Sequence, residues 1–170
     1  SFINLWTTPE VQYSNKDFIP HPLHKSMRHF MLAQTNADQG KIEHTYHHLQ
    51  MCIDHAAEFP ETYWAQFYFY VFQFHQEPDR DLYPAILQSI RNLIPHLPIA
   101  LIEHALLYII RLERLTHLPV TIKADEIKNP ALKKILIAEL NLPNFALKKM
   151  LDANVRPRMD FLDIMYGHLR

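Results

Sequence analysis

The stretch Thr62-Tyr63-Trp64-Ala65-Gln66-Phe67-Tyr68-Phe69-Tyr70-Val71-Phe72-Gln73-Phe74-His75-Gln76-Glu77 decides the fold. Its residue types favour a strand, because aromatic and β-branched side chains suit a pleated surface. Its spacing does not. A half-buried strand alternates apolar and polar residues with a period of two. Here the more polar residues Thr62, Gln66, Tyr70, Gln73 and Glu77 recur at i, i+4, i+8, i+11 and i+15, which is one stripe of an α-helix. The segment is read as a helix buried over most of its circumference, with Pro60 at its start.

The flanking segments carry the same period. Met27, Phe30, Met31 and Gln34 place a first helix over about 23–35, and Asn36 to Gly40 reads as a turn. Ile42, Tyr46, Leu49, Ile53 and Ala56 draw one apolar stripe over 41–58. A helix over 81–94 follows, with Asp79 as its cap and Pro84 in its first turn. Pro95 and Pro98 make a joint. Residues 99–115 then form an apolar central helix, interrupted by Glu103, His104 and Arg111. The connection 117–128 has room for one short turn. Helices are expected over 129–140, 144–154 and 159–169, the first two sharing the repeat Ala131-Leu132-Lys133-Lys134 and Ala146-Leu147-Lys148-Lys149. Residues 1–22 show no period and read as an extended arm packed on the body. Residues 23–170 read as one helical domain, with a main core over 23–117 and basic short helices over 118–170.

Composition agrees with an all-α chain. Of 170 residues, 48% are hydrophobic and 21% charged, enough apolar material for a core. The two glycines, Gly40 and Gly167, cannot supply a phosphate-cradling loop or a set of tight hairpins. The twelve prolines punctuate the chain where helices would start and stop. Seven to eight antiparallel helices are expected, as an α-solenoid fragment or an irregular bundle.

The formal net charge of −1 predicts no general attraction to nucleic acid. Cys52 is the only cysteine, which excludes an intrachain disulfide and points to a reducing, cytoplasmic-type compartment. No apolar run reaches the roughly 18 residues of a membrane span. The chain opens at Ser1, so it is read as a piece of a longer protein whose flanks can hold targeting signals.

Chemistry-bearing residues fall in three groups. His44 and His48 stand at i, i+4 on a helix that also carries His47, Cys52 and His55, a spacing at which two imidazoles can share a zinc ion. One of His21, His24 and His29 could join them across a hairpin. A single ion cannot take both His44 and His55, about 16 Å apart in helix rise. Serines lack a nucleophile elbow, and Cys52, between Leu49 and Ile53, reads as a small core residue rather than a nucleophile. From Lys123 onward nine Lys and Arg face six Asp and Glu, and Lys133, Lys134, Lys148, Lys149, Arg156 and Arg158 form a candidate anion-binding edge.

Residues 32–57 resemble a single tetratricopeptide hairpin. Leu32-Ala33 stands at the family's Leu-Gly position, Gly40 at its turn glycine, and Thr45 and Cys52 at its small helix-contact positions. His29 replaces the family's Trp, Asn36 replaces its Tyr, and Pro60 falls three residues late. The resemblance implies paired helices and a partner peptide in a concave groove. The first functional reading is accordingly a protein-interaction module or scaffold without catalysis or cofactor. Tyr63, Gln66, Tyr70 and Gln73 present its contact stripe to another protein or peptide. The alternatives are a zinc-binding or zinc-dependent domain centred on the His-rich helix 41–58, and an anion or lipid-headgroup binder using the C-terminal basic residues.

Overall fold

The aromatic-rich segment is a helix, the third of eight among the described residues. The computed structural model describes residues 22–55, 60–77, 81–152 and 159–166, with side chains from Lys25 onward. Its helices are α1 (Pro22–Asp38), α2 (Ile42–His55), α3 (Pro60–Gln76), α4 (Tyr83–Leu93), α5 (Ile99–Leu115), α6 (Pro130–Leu140), α7 (Asn144–Asp152) and α8 (Phe161–Tyr166). Short 3-10 turns occupy Ile94–His96 and Ala124–Glu126. No strand occurs among the described residues, so the fold is all-α. No helix among them is long and apolar enough to cross a membrane.

Residue pairs along each joint show the direction of packing. Ser26 meets Cys52 and His29 meets His48 between α1 and α2. Tyr46 meets Phe69 and Cys52 meets Glu61 between α2 and the start of α3. Phe74 meets Tyr83 and Tyr63 meets His96 between α3 and the segment carrying α4. In each case one number rises as the other falls, so the first four helices are antiparallel neighbours. α5 then packs against α4 and also against α6, α7 and α8.

Local chemistry explains the helix limits. Asn129 caps α6, its side-chain oxygen accepting from the backbone N–H groups of Ala131 and Leu132 at 2.9 and 3.3 Å, with Pro130 in the first turn. α1 ends in a left-handed cap at Gly40 (φ 72°). The Gly40 N–H donates to Ala37 O, and the Lys41 N–H to Asn36 O. α5 ends the same way, but with His117 (φ 58°) at the left-handed position where glycine is usual.

Several expectations are corrected. The turn expected over Asn36 to Gly40 is shorter, because α1 continues to Asp38. Asn36 is 2% exposed, its Nδ2 donating to Leu32 O at 2.7 Å, so its polar group is satisfied within its own helix. The apolar stripe read for α1 is rotated: Met27 and Gln34 are exposed, whereas Ser26, Leu32, Ala33, Asn36 and Ala37 are buried. In α2 the fully buried residues are Thr45, Leu49 and Cys52, while Ile42, Tyr46 and Ile53 are half-buried. Thr62, grouped by spacing with the polar stripe of α3, is fully buried. α4 begins at Tyr83 with Leu82 as an N-cap that makes no side-chain cap bond. The proposed cap Asp79, Ala56 to Glu58 at the end of α2, and residues 1–21 of the arm expected over 1–22 lie outside the described residues; Pro22, its last residue, instead opens α1.

The main core gathers Ala33, Leu49, Phe67, Phe72, Ile90 and Leu112, and α7 and α8 add Leu151, Phe161, Ile164 and Met165. A smaller cluster joins Leu107 and Ile110 of α5 to Ile127, Leu132 and Leu136. α5 thus supplies side chains to both. Its segment 105–113 has only Leu106 off the buried set, and its first residue, Ile99, is 89% exposed.

Candidate functional site

α3 buries Thr62, Ala65, Phe67, Tyr68, Val71, Phe72 and Phe74; of its half-covered residues, Tyr63, Gln66, Phe69, Tyr70 and Gln73 share one face. Gln66, Phe69 and Tyr70 form the floor of a groove of about 450 Å³. α2 contributes Gln50 and Ile53 to one wall, and α4 contributes Ala85, Gln88, Ser89 and Asn92 to the other. Two of the four residues expected to contact a partner, Gln66 and Tyr70, therefore lie together in one concavity. Gln73 does not line it. Tyr63 is drawn toward the far end of α4, its ring stacked on His96 at 4.4 Å between centroids.

The groove is lined by amides and apolar groups. Gln50 Nε2 donates to Asp54 Oδ1 at 2.8 Å, and Gln88 Nε2 donates to Asn92 Oδ1 at 2.9 Å, so both side chains are held along their own helices. Phe69 is backed by Tyr46 at 4.3 Å between ring centroids, which fixes the floor. Among the described residues, no Lys, Arg, His, Asp or Glu lines the groove. The α2 and α4 lining residues were missed in the sequence because they share no stripe with Gln66 and Tyr70; only packing brings the three helices together.

The histidines converge in part. His29 of α1 reaches across the hairpin to His48, with Nδ1 atoms 3.0 Å apart, and stacks on His55 at 5.7 Å between centroids. Burial first, then His48, Arg28, His55 and His47, lowers the His29 pKa to about 4. His44 is exposed and stands outside this stack. Among the described residues, no group of three or more His, Cys, Asp or Glu is placed to hold a metal ion. Cys52 is fully buried, with Sγ 3.1 Å from Ser26 Oγ, and burial pushes its thiol up to about 11. Such a thiol is a core group, not a nucleophile.

Of the candidate basic edge, Lys133, Lys134 and Lys149 are exposed. Lys148 is engaged: its Nζ is 2.6 Å from Asp152 Oδ2 and 5.8 Å from the Tyr83 ring centroid. Arg156 and Arg158 lie outside the described residues.

A buried polar network was missed. Arg111, 2% exposed, donates from Nε and Nη2 to the two Glu139 oxygens at 2.7 and 2.5 Å, and from Nη1 to Met165 O at 3.0 Å. Glu113, fully buried, accepts from Arg91 Nη2, the Thr121 N–H and Thr121 Oγ1 at 3.1, 2.6 and 2.9 Å. The signal was present: charges within an apolar helix must find partners when it is buried. These contacts tie α5 to α4, α6, α8 and the loop after α5, and are structural.

Compared with protein-family models, curated sequences and solved structures, the chain matches none of them.

Proposed function

We propose that this chain is a protein-interaction module that takes a short uncharged segment of a partner polypeptide into the groove between α2, α3 and α4. The observation that carries this reading is the lining itself: Gln50, Gln66, Gln88 and Asn92 around Phe69 and Tyr70. A primary amide offers both donors and an acceptor, the same functions a peptide unit presents. The aromatic floor offers apolar contact to intervening side chains. Among the described residues the lining carries no charged side chain, so it offers a phosphate or carboxylate no ionic attraction. The tetratricopeptide-like hairpin of α1 and α2 is part of the same proposal, since stacked helical pairs build concave walls.

The test is selection from a random-peptide display library on the immobilised chain, followed by binding of enriched peptides to Gln66→Glu and Tyr70→Ala variants. Both positions are half-buried, Tyr70 packing on the edge of the main core, so an unchanged helical circular dichroism spectrum is required of each variant before its binding is read. A loss of about ten-fold or more is expected, the scale of one well-placed contact. Peptides that bind both variants as well as the parent, or no enrichment at all, would remove the reading. The zinc alternative draws on the meeting of His29 and His48. It predicts stoichiometric metal in tag-free protein and loss of fold on chelation.

A further inference from the structure

We propose that the outer face of α6 and α7 is a docking surface for an anionic lipid bilayer. Three large apolar side chains stand exposed on these two short helices: Ile137 at 56%, Leu140 at 51% and Phe145 at 77%. Their exposure follows from which positions the core has already taken. α6 turns Leu132, Leu136 and Glu139 inward, and α7 turns Leu147 and Leu151 inward. On a helix of 3.6 residues per turn, Ile137 and Phe145 then fall on the opposite side, and Leu140 falls at the edge of the buried face. The core cannot cover them without releasing what it holds.

Arg114 holds the two helices together at their joint. Its Nη1 donates to Glu139 O at 2.8 Å, and its Nη2 donates to Leu142 O at 2.7 Å and to Asn144 Oδ1 at 3.1 Å. One guanidinium therefore clamps the end of α6, the joint and the start of α7. Leu140 and Phe145 flank that clamp, and Ile137 precedes Leu140 by about one turn.

Charge chooses the occupant. Lys133 and Lys134 lie one turn before Ile137, and Lys149 lies one turn after Phe145; all three are exposed. The two acids that α6 and α7 themselves carry are already committed. Glu139 is buried against Arg111, and Asp152 is bridged by Lys148. The face thus presents apolar side chains rimmed by ammonium groups that have no ion pair among the described residues. Apolar groups at the acyl boundary with lysines at the phosphates is how a surface helix sits on a membrane. The groove between α2, α3 and α4 shares no residue with this face, so the two proposals stand or fall separately.

Co-sedimentation of the chain with phosphatidylcholine vesicles, with and without phosphatidylserine, tests the proposal. Binding is expected to the phosphatidylserine vesicles only, and to fall when salt is raised until the Debye length drops to about 3 Å. Phe145→Ser and the double variant Lys133→Glu/Lys134→Glu should each weaken it by about ten-fold or more. These positions are exposed, so an unchanged helical circular dichroism spectrum is expected for both. No sedimentation with the anionic vesicles overturns the proposal, as does equal binding to phosphatidylcholine alone. So does Phe145→Ser binding like the parent, which would leave only a charge effect. Retention on single-stranded RNA or an acidic polypeptide, without vesicle binding, assigns the face to another partner and also overturns it.

Discussion

At the residue scale, burial decides the chemistry of groups that look reactive on paper. Cys52 is covered by α1 and α3, and its neighbour Ser26 also donates to Cys52 O at 3.3 Å. Its thiol should resist a disulfide-exchange reagent in the native state and react at once in denaturant; prompt native reaction would contradict this placement. His29 and His75 provide a second prediction. Burial is the leading cause that lowers both to about 4, and the Nδ1 of His75 has no hydrogen-bond partner among the described residues. The unfolded chain takes up protons on these rings from about pH 6.5 downward, while the folded chain excludes them to about pH 4. The stability they allow is present above pH 6.5 and is lost as pH falls through that window. The denaturation midpoint should decline between pH 6.5 and 4, and a His75→Leu variant should decline less. An equal pH dependence in that variant would show that His75 plays no part. The polar stripe Gln66–Tyr70 was legible at this scale because a helix period is written in spacing. The inward turn of Thr62 was not, because it depends on what stands opposite.

At the element scale, α5 is the helix on which the C-terminal half is assembled. Its apolar character identified it as central from the sequence, with limits that coincide with those observed. Its charged residues looked only like obstacles to a membrane span. In the fold Arg111 grips Glu139 and Met165 O, while its guanidinium carbon stands 5.4 Å from the Tyr166 ring centroid. Replacing Arg111 by Ala strands Glu139 in the core and should cost about 3–5 kcal/mol. The double variant Arg111→Met/Glu139→Leu removes both charges and should recover much of that loss, because a hydrophobic pair can replace a buried ion pair at little net cost. Chemical denaturation of the three proteins measures it. A double variant no more stable than Arg111→Ala would mean that the bond to Met165 O, not the ion pair, dominates.

At the scale of the whole molecule, the two apolar clusters meet on one helix. Leu107 and Ile110 belong to the smaller cluster, and Ala105, Tyr108, Ile109 and Leu112 to the larger. Residues of one helix cannot leave one cluster and keep the other packed, so the described domain should unfold in one step. Far-ultraviolet and near-ultraviolet circular dichroism should give coincident urea transitions, the second reporting the ring contacts around Phe67, Trp64 and Phe161. Separated midpoints would show that α6 and its cluster fold on their own. Phe67→Ala, at a fully buried position, should lower the common transition by about 3–5 kcal/mol.

Helix identity, order and most boundaries were determined by the sequence alone, because period and proline placement are local properties of the chain. The groove, the pairing of Arg111 with Glu139, the meeting of His29 with His48, and the exposure of Phe145 came only with tertiary structure. Each depends on how one helix is rotated against another, and that rotation is set by the fit of side chains distant in sequence.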